Sequence, residues 1–299
     1  MFIDIHIHTN YWDGCPAMHS ATPMIHASPE EIIREYDALG IEKGVILPNV
    51  NPEGNYEVQS NEEVLAIVEK HPGRFIPFCN IDPRSLSNSQ SAPLGKMMEF
   101  YKERGCLGIG EVCANMQFLD PKVQNLFRCA ENAGLPVTFH MSAFENYRYG
   151  LVDNPGMPQL EETLRRFPRL KLFAHSQAFW AEMTPLGSVD DRLGYPKGPV
   201  SQEGRVQELM RKYPNLYGDL SAGSGFNALA RDPDYAVKFL DEFQDRLLFG
   251  TDECNPTMSS MRLLAPFLKK LHDQGGISDA VFHKIARGNA IRILGLKDA

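Results

Sequence analysis

Residues 1–10 read MFIDIHIHTN, a short apolar segment typical of a β-strand, with two histidines near its far end. On a strand, residues two apart point to the same face, so His6 and His8 should project together. Two neutral imidazoles in this arrangement form half of a metal site when carboxylate or imidazole ligands arrive from elsewhere. The alternative is a pair of structural histidines, and the ionisable residues further along the chain decide between the two.

The composition is that of an ordinary globular protein, with 299 residues of which 43% are hydrophobic and 23% charged. A net charge of −8 argues against nucleic acid or an anionic membrane as the main partner. No apolar run reaches the roughly 18 residues that a membrane span requires, and the N-terminal segment lacks the apolar core of a signal peptide. Six cysteines without C-x-x-C spacing indicate reduced thiols, so we expect a cytoplasmic protein.

Short apolar segments alternate with helical patterns along the whole chain. The predicted strands are 2–7, 43–49, 74–81, 107–112, 136–140, 170–175, 216–220 and 246–251. The predicted helices are 28–39, 60–71, 92–104, 121–133, 157–167, 203–213, 232–243, 258–274 and 279–294. Eight such units predict a (β/α)₈ TIM barrel that forms a single domain over residues 1–299, with long βα loops at 9–28 and 177–202 and additional C-terminal helices. An open doubly wound sheet is the structural alternative.

Ionisable residues recur at the ends of these predicted strands. In a (β/α)₈ barrel the carboxyl ends of all strands surround one mouth, where active sites are built. From His8 the next such residues are Glu111, His140, His175 and Asp252, after gaps of 103, 29, 35 and 77 positions. Each gap is a whole number of βα units, so these side chains and that of His6 should converge. We therefore predict a metal centre made from His6, His8, Glu111, His140, His175 and Asp252.

These motifs, His6-x-His8, Thr-Phe-His140, Phe-Ala-His175 and Gly-Thr-Asp252, together resemble the amidohydrolase superfamily of metal-dependent (β/α)₈ hydrolases. The segment GNAIRILGL at 288–296 resembles the closing helix of the amidohydrolase-2 branch. That branch includes hydrolases, lactonases and non-oxidative decarboxylases such as the aminocarboxymuconate-semialdehyde decarboxylase group. The resemblance covers essentially the whole chain, and it specifies the superfamily better than the reaction.

The resemblance implies that His6, His8, His140 and Asp252 hold a divalent metal. It places His175 where a histidine polarises substrate or handles protons, or where binuclear members bind a second metal. The segment GIGEV around Glu111 resembles TatD-like members, in which the glutamate bridges two metals. Glu111 is thus expected either to bridge a metal pair or to bind substrate beside a single ion.

Zn²⁺ is the expected cofactor, with Mn²⁺ or another divalent ion as the alternative, and one or two ions are expected. Asp252 would accept a proton from metal-activated water and His175 would orient the scissile carbonyl, so both are predicted catalytic residues. The long loops offer substrate contacts from Trp12, Tyr147, Arg148, Gln177 and Trp180. Arg148 suits a substrate carboxylate because its guanidinium fork matches two oxygens, although a surface ion pair is the alternative.

The first hypothesis for function is a hydrolase that cleaves a C–O or C–N bond of a small carbonyl or carboxylate compound. The second is a lyase, a non-oxidative decarboxylase of an unsaturated or aromatic acid. A metal-stabilised scaffold without catalysis and a TatD-like phosphodiesterase are further alternatives, the latter disfavoured for a DNA substrate by the acidic charge. The expected partner is a small-molecule substrate, with no nucleic acid and no membrane, and a homodimer is one option for the assembly.

Asp219 and Ser221, after the seventh strand, either line the pocket or cap a turn.

Overall fold

Parallel β-strands form the centre of this computed structural model, which describes residues 1–11, 26–54, 59–146 and 148–297. The described residues form nine strands, eight of which belong to the barrel while β6 is a two-residue addition beside β5. In chain order they are β1 (Phe2–Ile7), β2 (Ile41–Ile46), β3 (Phe75–Pro77), β4 (Ile109–Val112), β5 (Val137–Ser142), β6 (Leu151–Val152), β7 (Leu172–His175), β8 (Leu216–Asp219) and β9 (Leu247–Leu248).

Two seams close these strands into a barrel. The strands pair in the orders β1-β2-β3 and β4-β5-β7-β8-β9. Main-chain hydrogen bonds join β3 to β4, where Cys79 N–H donates to the Gly108 carbonyl at 3.0 Å. At the other seam Ile5 N–H donates to the Phe249 carbonyl at 3.0 Å, which joins β9 to β1. The predicted (β/α)₈ barrel is confirmed.

Helices cover the outside of the barrel. They are α1 (Pro29–Leu39), α2 (Asn61–Lys70), α3 (Leu94–Glu103), α4 (Pro121–Ala133), α5 (Pro158–Arg166), α6 (Gln177–Trp180), α7 (Arg205–Lys212), α8 (Ala222–Ala230), α9 (Pro233–Glu242), α10 (Met261–Asp273), α11 (Asp279–His283) and α12 (Asn289–Leu294). Short 3₁₀ turns occupy Ala181–Met183 and Val189–Leu193, and a π turn occupies Lys284–Gly288. Among the helices of the described residues, each falls short of the length and apolar content needed to cross a bilayer.

Helix α1 shows why the local sequence predicts some boundaries well. Ser28 accepts a hydrogen bond from the Glu31 backbone, and the Glu31 side chain accepts one from the Ser28 backbone, a reciprocal capping box. Gly40 ends the helix with a left-handed φ of 76°, a conformation that glycine adopts without steric cost. The predicted helix from 28 to 39 is confirmed within one residue.

Two sequence-based assignments were wrong. The segment 177–202 begins with helix α6 instead of being irregular throughout, and helix α8 follows β8 where no helix was predicted. The helix predicted for 279–294 has the observed ends, and a π turn lies inside it between α11 and α12. Several strands are also shorter than predicted, for example β3, which is Phe75–Pro77, and β9, which is Leu247–Leu248.

A bulge in β1 directs the two N-terminal histidines. Three steps along β1, from residue 4 to residue 7, oppose only two steps along β2, from 44 to 46. Ile3 and Ile5 pack in the cluster of strand side chains that fills the barrel, whereas Ile7 packs in the cluster between strands and helices. The extra residue therefore reverses the inward face, so that His6 and His8 follow Ile5 towards the barrel mouth. Bulges commonly re-aim side chains beside functional sites in this way.

Asp4 is fully buried and ties β1 to its surroundings. One carboxylate oxygen accepts from the backbone N–H groups of His6 and Thr251, each at 3.0 Å. The other accepts from the Tyr36 hydroxyl at 2.9 Å and from the Thr251 hydroxyl at 2.6 Å. Burial raises the pKa of Asp4 to about 6, although the four hydrogen bonds lower it in part. The carboxylate thus fixes the main chain on both sides of the β1–β9 seam.

Replacing Asp4 by alanine should lower the free energy of unfolding by roughly 3 kcal/mol or more, because four buried donors lose their acceptor. Urea denaturation measures this loss. The matched control is Asp37→Ala, which removes an exposed carboxylate paired with Arg74 at 2.8 Å and should cost less than about 1 kcal/mol. Equal losses in the two variants would contradict the role of Asp4.

Candidate metal centre

The six predicted metal-site residues meet at the carboxyl end of the barrel. Their potential ligand atoms form three overlapping groups, and within each group all atoms lie within 4.8 Å of one another. The groups are His6, His175 and Asp252; His6, His8 and Glu111; and Glu111, His140 and His175. The convergence that strand counting predicted is therefore present, whereas the role of each residue as a ligand stays a prediction.

The spacing of ligand atoms on His6, His8 and Asp252 fits a metal ion. His6 Nε2 lies 3.2 Å from His8 Nε2, and Asp252 Oδ1 lies 3.3 Å and 3.4 Å from these two nitrogens. A tetrahedral Zn²⁺ ion with bonds of about 2.1 Å holds neighbouring ligand atoms about 3.4 Å apart. The three atoms are thus already separated as one ion would require.

Glu111 lies between two pairs of histidines. Its Oε2 is 3.6 Å from His8 Nε2 and 3.8 Å from His6 Nε2. Its Oε1 is 2.9 Å from His140 Nδ1 and 3.9 Å from His175 Nε2. Each carboxylate oxygen therefore faces its own pair of imidazoles, which is the geometry that a carboxylate shared between two ions needs.

Hydrogen bonds behind the imidazoles orient them. His8 Nδ1 lies 2.9 Å from the carbonyl of Leu47, which can only accept, so Nδ1 carries a proton and Nε2 is the nitrogen that faces the other site residues. His6 Nδ1 meets Asp219 Oδ2 at 2.6 Å in the same sense. A third imidazole, that of His175, is also hydrogen-bonded through Nδ1, which lies 2.9 Å from the Ser221 hydroxyl. These three rings turn their Nε2 atoms towards the centre.

The two central carboxylates remain ionised. Burial raises the pKa of Asp252, but attraction to His6 and hydrogen bonds with His175, His6 and His8 outweigh it and hold the pKa well below its usual range. Burial is likewise the largest effect on Glu111, and it is outweighed chiefly by His140, so that this pKa is also strongly lowered. The pKa of His8 is raised to about 9, since hydrogen bonds to Asp252 and Glu111 exceed the opposing effect of burial. The negative field at this position favours a cation.

The backbone adopts unusual conformations at both carboxylates. Asp252 has a φ of 52°, in the left-handed region that residues other than glycine seldom occupy. Gly110, before Glu111, has a φ of 145°, and a Cβ there would lie 2.7 Å from the Thr138 carbonyl oxygen. Strained residues of this kind concentrate at functional sites.

Two adjoining cavities surround the centre. The first encloses about 100 Å³ and is lined by His8, His26, Asn49, Glu111, Cys113, His140, Tyr149, Asp252 and Cys254. The second encloses about 30 Å³ and shares His140 and Tyr149 with the first, while Arg148, Gln177 and Arg192 line its far side. A larger cleft of about 620 Å³, formed by residues of the 181–202 segment and Arg231, shares no lining residue with either.

The predicted substrate contacts divide into three outcomes. Arg148 and Gln177 line the second cavity beside His140. Trp180 is 2% exposed and lies outside the lining of both cavities; its indole N–H donates to the Asp219 carbonyl at 3.0 Å, so the structure gives it a packing position. Trp12 and Tyr147 lie outside the described residues.

Sequence reasoning left some site residues unassigned. It offered two roles for Asp219 and Ser221, and the structure places both against imidazoles, as hydrogen-bond partners of His6 and His175. It missed Asn49, which follows β2, and Tyr149, whose ring lies 4.5 Å from that of His140. A search for amides and aromatics after each strand, in addition to ionisable residues, would have identified Asn49.

A closed (β/α)₈ barrel with four histidines and two carboxylates at its mouth defines the class of amidohydrolase-like barrels. The model of the Amidohydrolase family, Amidohydro_2, matches residues 3–296, and the chain therefore belongs to this family. A comparison with curated protein sequences finds no match.

Solved structures with the same fold include enzymes of two kinds. A candidate 2-pyrone-4,6-dicarboxylic acid hydrolase from Pseudomonas putida is 15% identical, with a TM-score of 0.65 over 100% of this chain and 98% of the other. The 5-carboxyvanillate decarboxylase from Sphingomonas paucimobilis is 16% identical, with a TM-score of 0.61 over 99% of both chains. An uncharacterised TIM-barrel protein from Bordetella bronchiseptica is 19% identical, with a TM-score of 0.62 over 99% and 98%. At these identities the likeness shows the fold alone.

Removing the carboxylate behind His6 should weaken metal binding. The Asp219→Ala variant is expected to bind Zn²⁺ about 10–100-fold more weakly, because the imidazole loses the partner that fixes its tautomer and orientation. Competition with a chromogenic chelator measures the affinity. Asp245→Ala, which removes an exposed carboxylate paired with Lys284, is the control and should bind Zn²⁺ as the wild type does. An unchanged affinity in Asp219→Ala would contradict this role.

Proposed function

We propose that this protein is a metal-dependent hydrolase that uses activated water to cleave a C–O or C–N bond of a small carbonyl or carboxylate compound. The supporting observation is the placement of Glu111, whose two oxygens face separate histidine pairs beside the ionised Asp252. Such a shared carboxylate suits hydrolysis, in which both the attacking water and the scissile carbonyl need activation.

The residues fit two cation positions. His6, His8, Asp252 and Glu111 Oε2 would hold one ion, and Glu111 Oε1 with His140 and His175 would hold a second. Mixed imidazole and carboxylate ligands suit Zn²⁺, with Mn²⁺ as the alternative. When bound, such a cation acts as a Lewis acid and lowers the pKa of a water ligand towards roughly 7.

Asp252 would move the proton. Its Oδ1 faces His6 and His8, and its Oδ2 lies 3.5 Å from His175 Nε2 on the opposite side. Oδ2 would thus accept a proton from the attacking water and deliver it to the leaving group. His175 Nε2, oriented by the hydrogen bond between Nδ1 and the Ser221 hydroxyl, lies near Asp252 Oδ2 and would orient the carbonyl when only one ion is present.

The cavities favour a small acidic substrate. About 100 Å³ beside the carboxylates accommodates the reacting carbonyl, and the adjoining cavity with Arg148 and Gln177 offers hydrogen-bond donors to a carboxylate. The net charge of −8 makes a nucleic acid an unfavourable substrate by comparison.

Metal removal and reconstitution test the reaction class. Chelator-treated protein should lose activity towards a panel of lactones, esters and N-acyl amino acids, and Zn²⁺ or Mn²⁺ should restore it. In H₂¹⁸O, hydrolysis places one heavy oxygen in the product, whereas a decarboxylase acting on dihydroxybenzoates or 5-carboxyvanillate yields a product lighter by CO₂. Activity that survives chelation, or CO₂ release as the metal-dependent reaction, would overturn the proposal.

The Asp252→Asn variant is the inactive reference for this assay. It should lower kcat by about 10²–10⁴-fold, as expected for loss of a proton-transfer group, while elemental analysis still finds metal in the protein.

Arg148 tests the acidic substrate. Arg148→Met should raise KM by about 10–100-fold for substrates that carry a carboxylate, because a charged hydrogen-bonded pair contributes roughly 1.5–3 kcal/mol. The KM of matched neutral esters should stay unchanged. Arg165→Met, at an exposed arginine paired with Glu162, is the control. Equal effects of Arg148→Met on acidic and neutral substrates would show that Arg148 does not bind the carboxylate.

A further inference from the structure

Behind β4 lies a cluster of buried amide side chains. Asn80 is 1% exposed and Asn51 is completely buried. The amide nitrogen of Asn80 lies 2.5 Å from the Glu111 carbonyl oxygen, 2.9 Å from that of Pro48 and 3.3 Å from Asn51 Oδ1. Asn51 Oδ1 in turn accepts from the Cys113 backbone N–H at 2.7 Å. Two amides thus hold the main chain on both sides of residue 112.

The cluster is itself fixed from the outside. Asn61 forms two hydrogen bonds with the backbone of Asn80, at 2.7 Å and 3.1 Å. The Asn51 amide nitrogen donates to Asp82 at 2.8 Å, and Asp82 accepts from Arg84 at 2.6 Å and 2.7 Å. A charged pair near the surface therefore anchors the amides that meet the end of β4, so these amides have little freedom to move.

One atom of this cluster is arranged at a cost in stability. Asn80 Oδ1 is buried and has no hydrogen-bond partner among the residues that the structure describes, and an unsatisfied buried acceptor costs about 1–3 kcal/mol. Turning the amide over would place this oxygen against three other acceptors, so the network determines its orientation. This orientation directs the amide nitrogen to the carbonyls of Glu111 and Pro48 and to Asn51 Oδ1.

We propose that Asn80 and Asn51 are positioning residues, which hold the main chain of residues 111–113 so that the Glu111 carboxylate reaches both histidine pairs. Because a carboxylate that contacts two sites tolerates little rotation, a backbone held at two points keeps Oε1 and Oε2 in place together. This inference rests on the proposed function only in taking Glu111 as a metal ligand.

The test compares Asn80→Ala and Asn51→Ala with a matched control at the other end of the barrel. Asn215 is also a buried asparagine, whose amide donates to the carbonyls of Leu164 and Phe167 before β8 begins. All three variants should lose comparable free energy of unfolding in urea. Asn80→Ala and Asn51→Ala should in addition bind Zn²⁺ about 10–100-fold more weakly, whereas Asn215→Ala should bind it as the wild type does.

The visible spectrum of the Co²⁺-loaded protein adds a readout of ligand geometry. The spectra of the two network variants should shift towards that of Glu111→Gln, and the Asn215→Ala spectrum should match the wild type. Asn51→Ala keeps the test valid if Asn80→Ala does not fold, since it breaks the contact with Cys113 and leaves the Glu111 carbonyl bonded. Folded network variants with wild-type affinity and spectrum would overturn the inference.

The outcomes separate this inference from the proposed reaction. A metal-loaded wild type that releases CO₂ overturns the hydrolase proposal and leaves the positioning role standing, because its readouts are metal affinity and the Co²⁺ spectrum. A wild type that binds no divalent ion overturns both.

Discussion

The seam between β1 and β9 brings the two ends of the chain to one point, and the centre depends on it. Asp252 N–H donates to the His6 carbonyl at 2.8 Å, so two prospective ligands 246 positions apart belong to one hydrogen-bonded unit. Asp4 strengthens this seam through Thr251, the neighbour of Asp252. In an open sheet these strands would be opposite edges, and neither histidine could approach the carboxylate. Barrel closure is therefore a requirement of the chemistry as much as of stability.

The charge at the mouth of the barrel sets a second constraint. His6 is fully buried and Glu111 is 5% exposed, so the ionised Glu111 carboxylate lies where water solvates it poorly. Buried charges of one sign are unfavourable unless a positive group is close. Protons on the imidazoles or a divalent ion can supply that charge, but only the ion pairs with both Glu111 and Asp252 and leaves the imidazoles neutral. Cation binding and folding stability should thus be coupled in this protein.

Sequence reasoning succeeded where the signal was local or periodic. Alternating strands and helices predicted the barrel, and ionisable residues at strand ends predicted which six side chains meet. It predicted correctly that His6 and His8 converge. The reason was incomplete, because strict alternation along a strand ignores the bulge that reverses which side of β1 faces inward. An extra residue in one strand depends on pairing with its neighbour, which no local pattern encodes.

Roles that depend on distant contacts were beyond the same reasoning. Trp180 is an aromatic residue after a strand end, as a substrate contact often is. Its side chain, however, packs on Phe239 and donates a hydrogen bond to the Asp219 carbonyl. Asp219 itself gave no decisive signal, because its partner His6 is 213 positions away. Asn80 resembles any asparagine after a strand, and only the fold shows that it meets Glu111.

The two N-terminal imidazoles are supported in chemically different ways, with a consequence for variation in this family. His6 depends on a side chain at position 219, whereas His8 depends on the main-chain carbonyl of residue 47. Every amino acid carries a main-chain carbonyl, so a substitution at position 47 changes the packing of the side chain without removing the acceptor that His8 uses. The hydrogen bond that orients His8 therefore leaves no signal in a comparison of residue identities. If position 47 tolerates substitution and position 219 does not, the reason is that the acceptor is a main-chain atom at 47 and a side-chain atom at 219. The two hydrogen bonds can still be equally important.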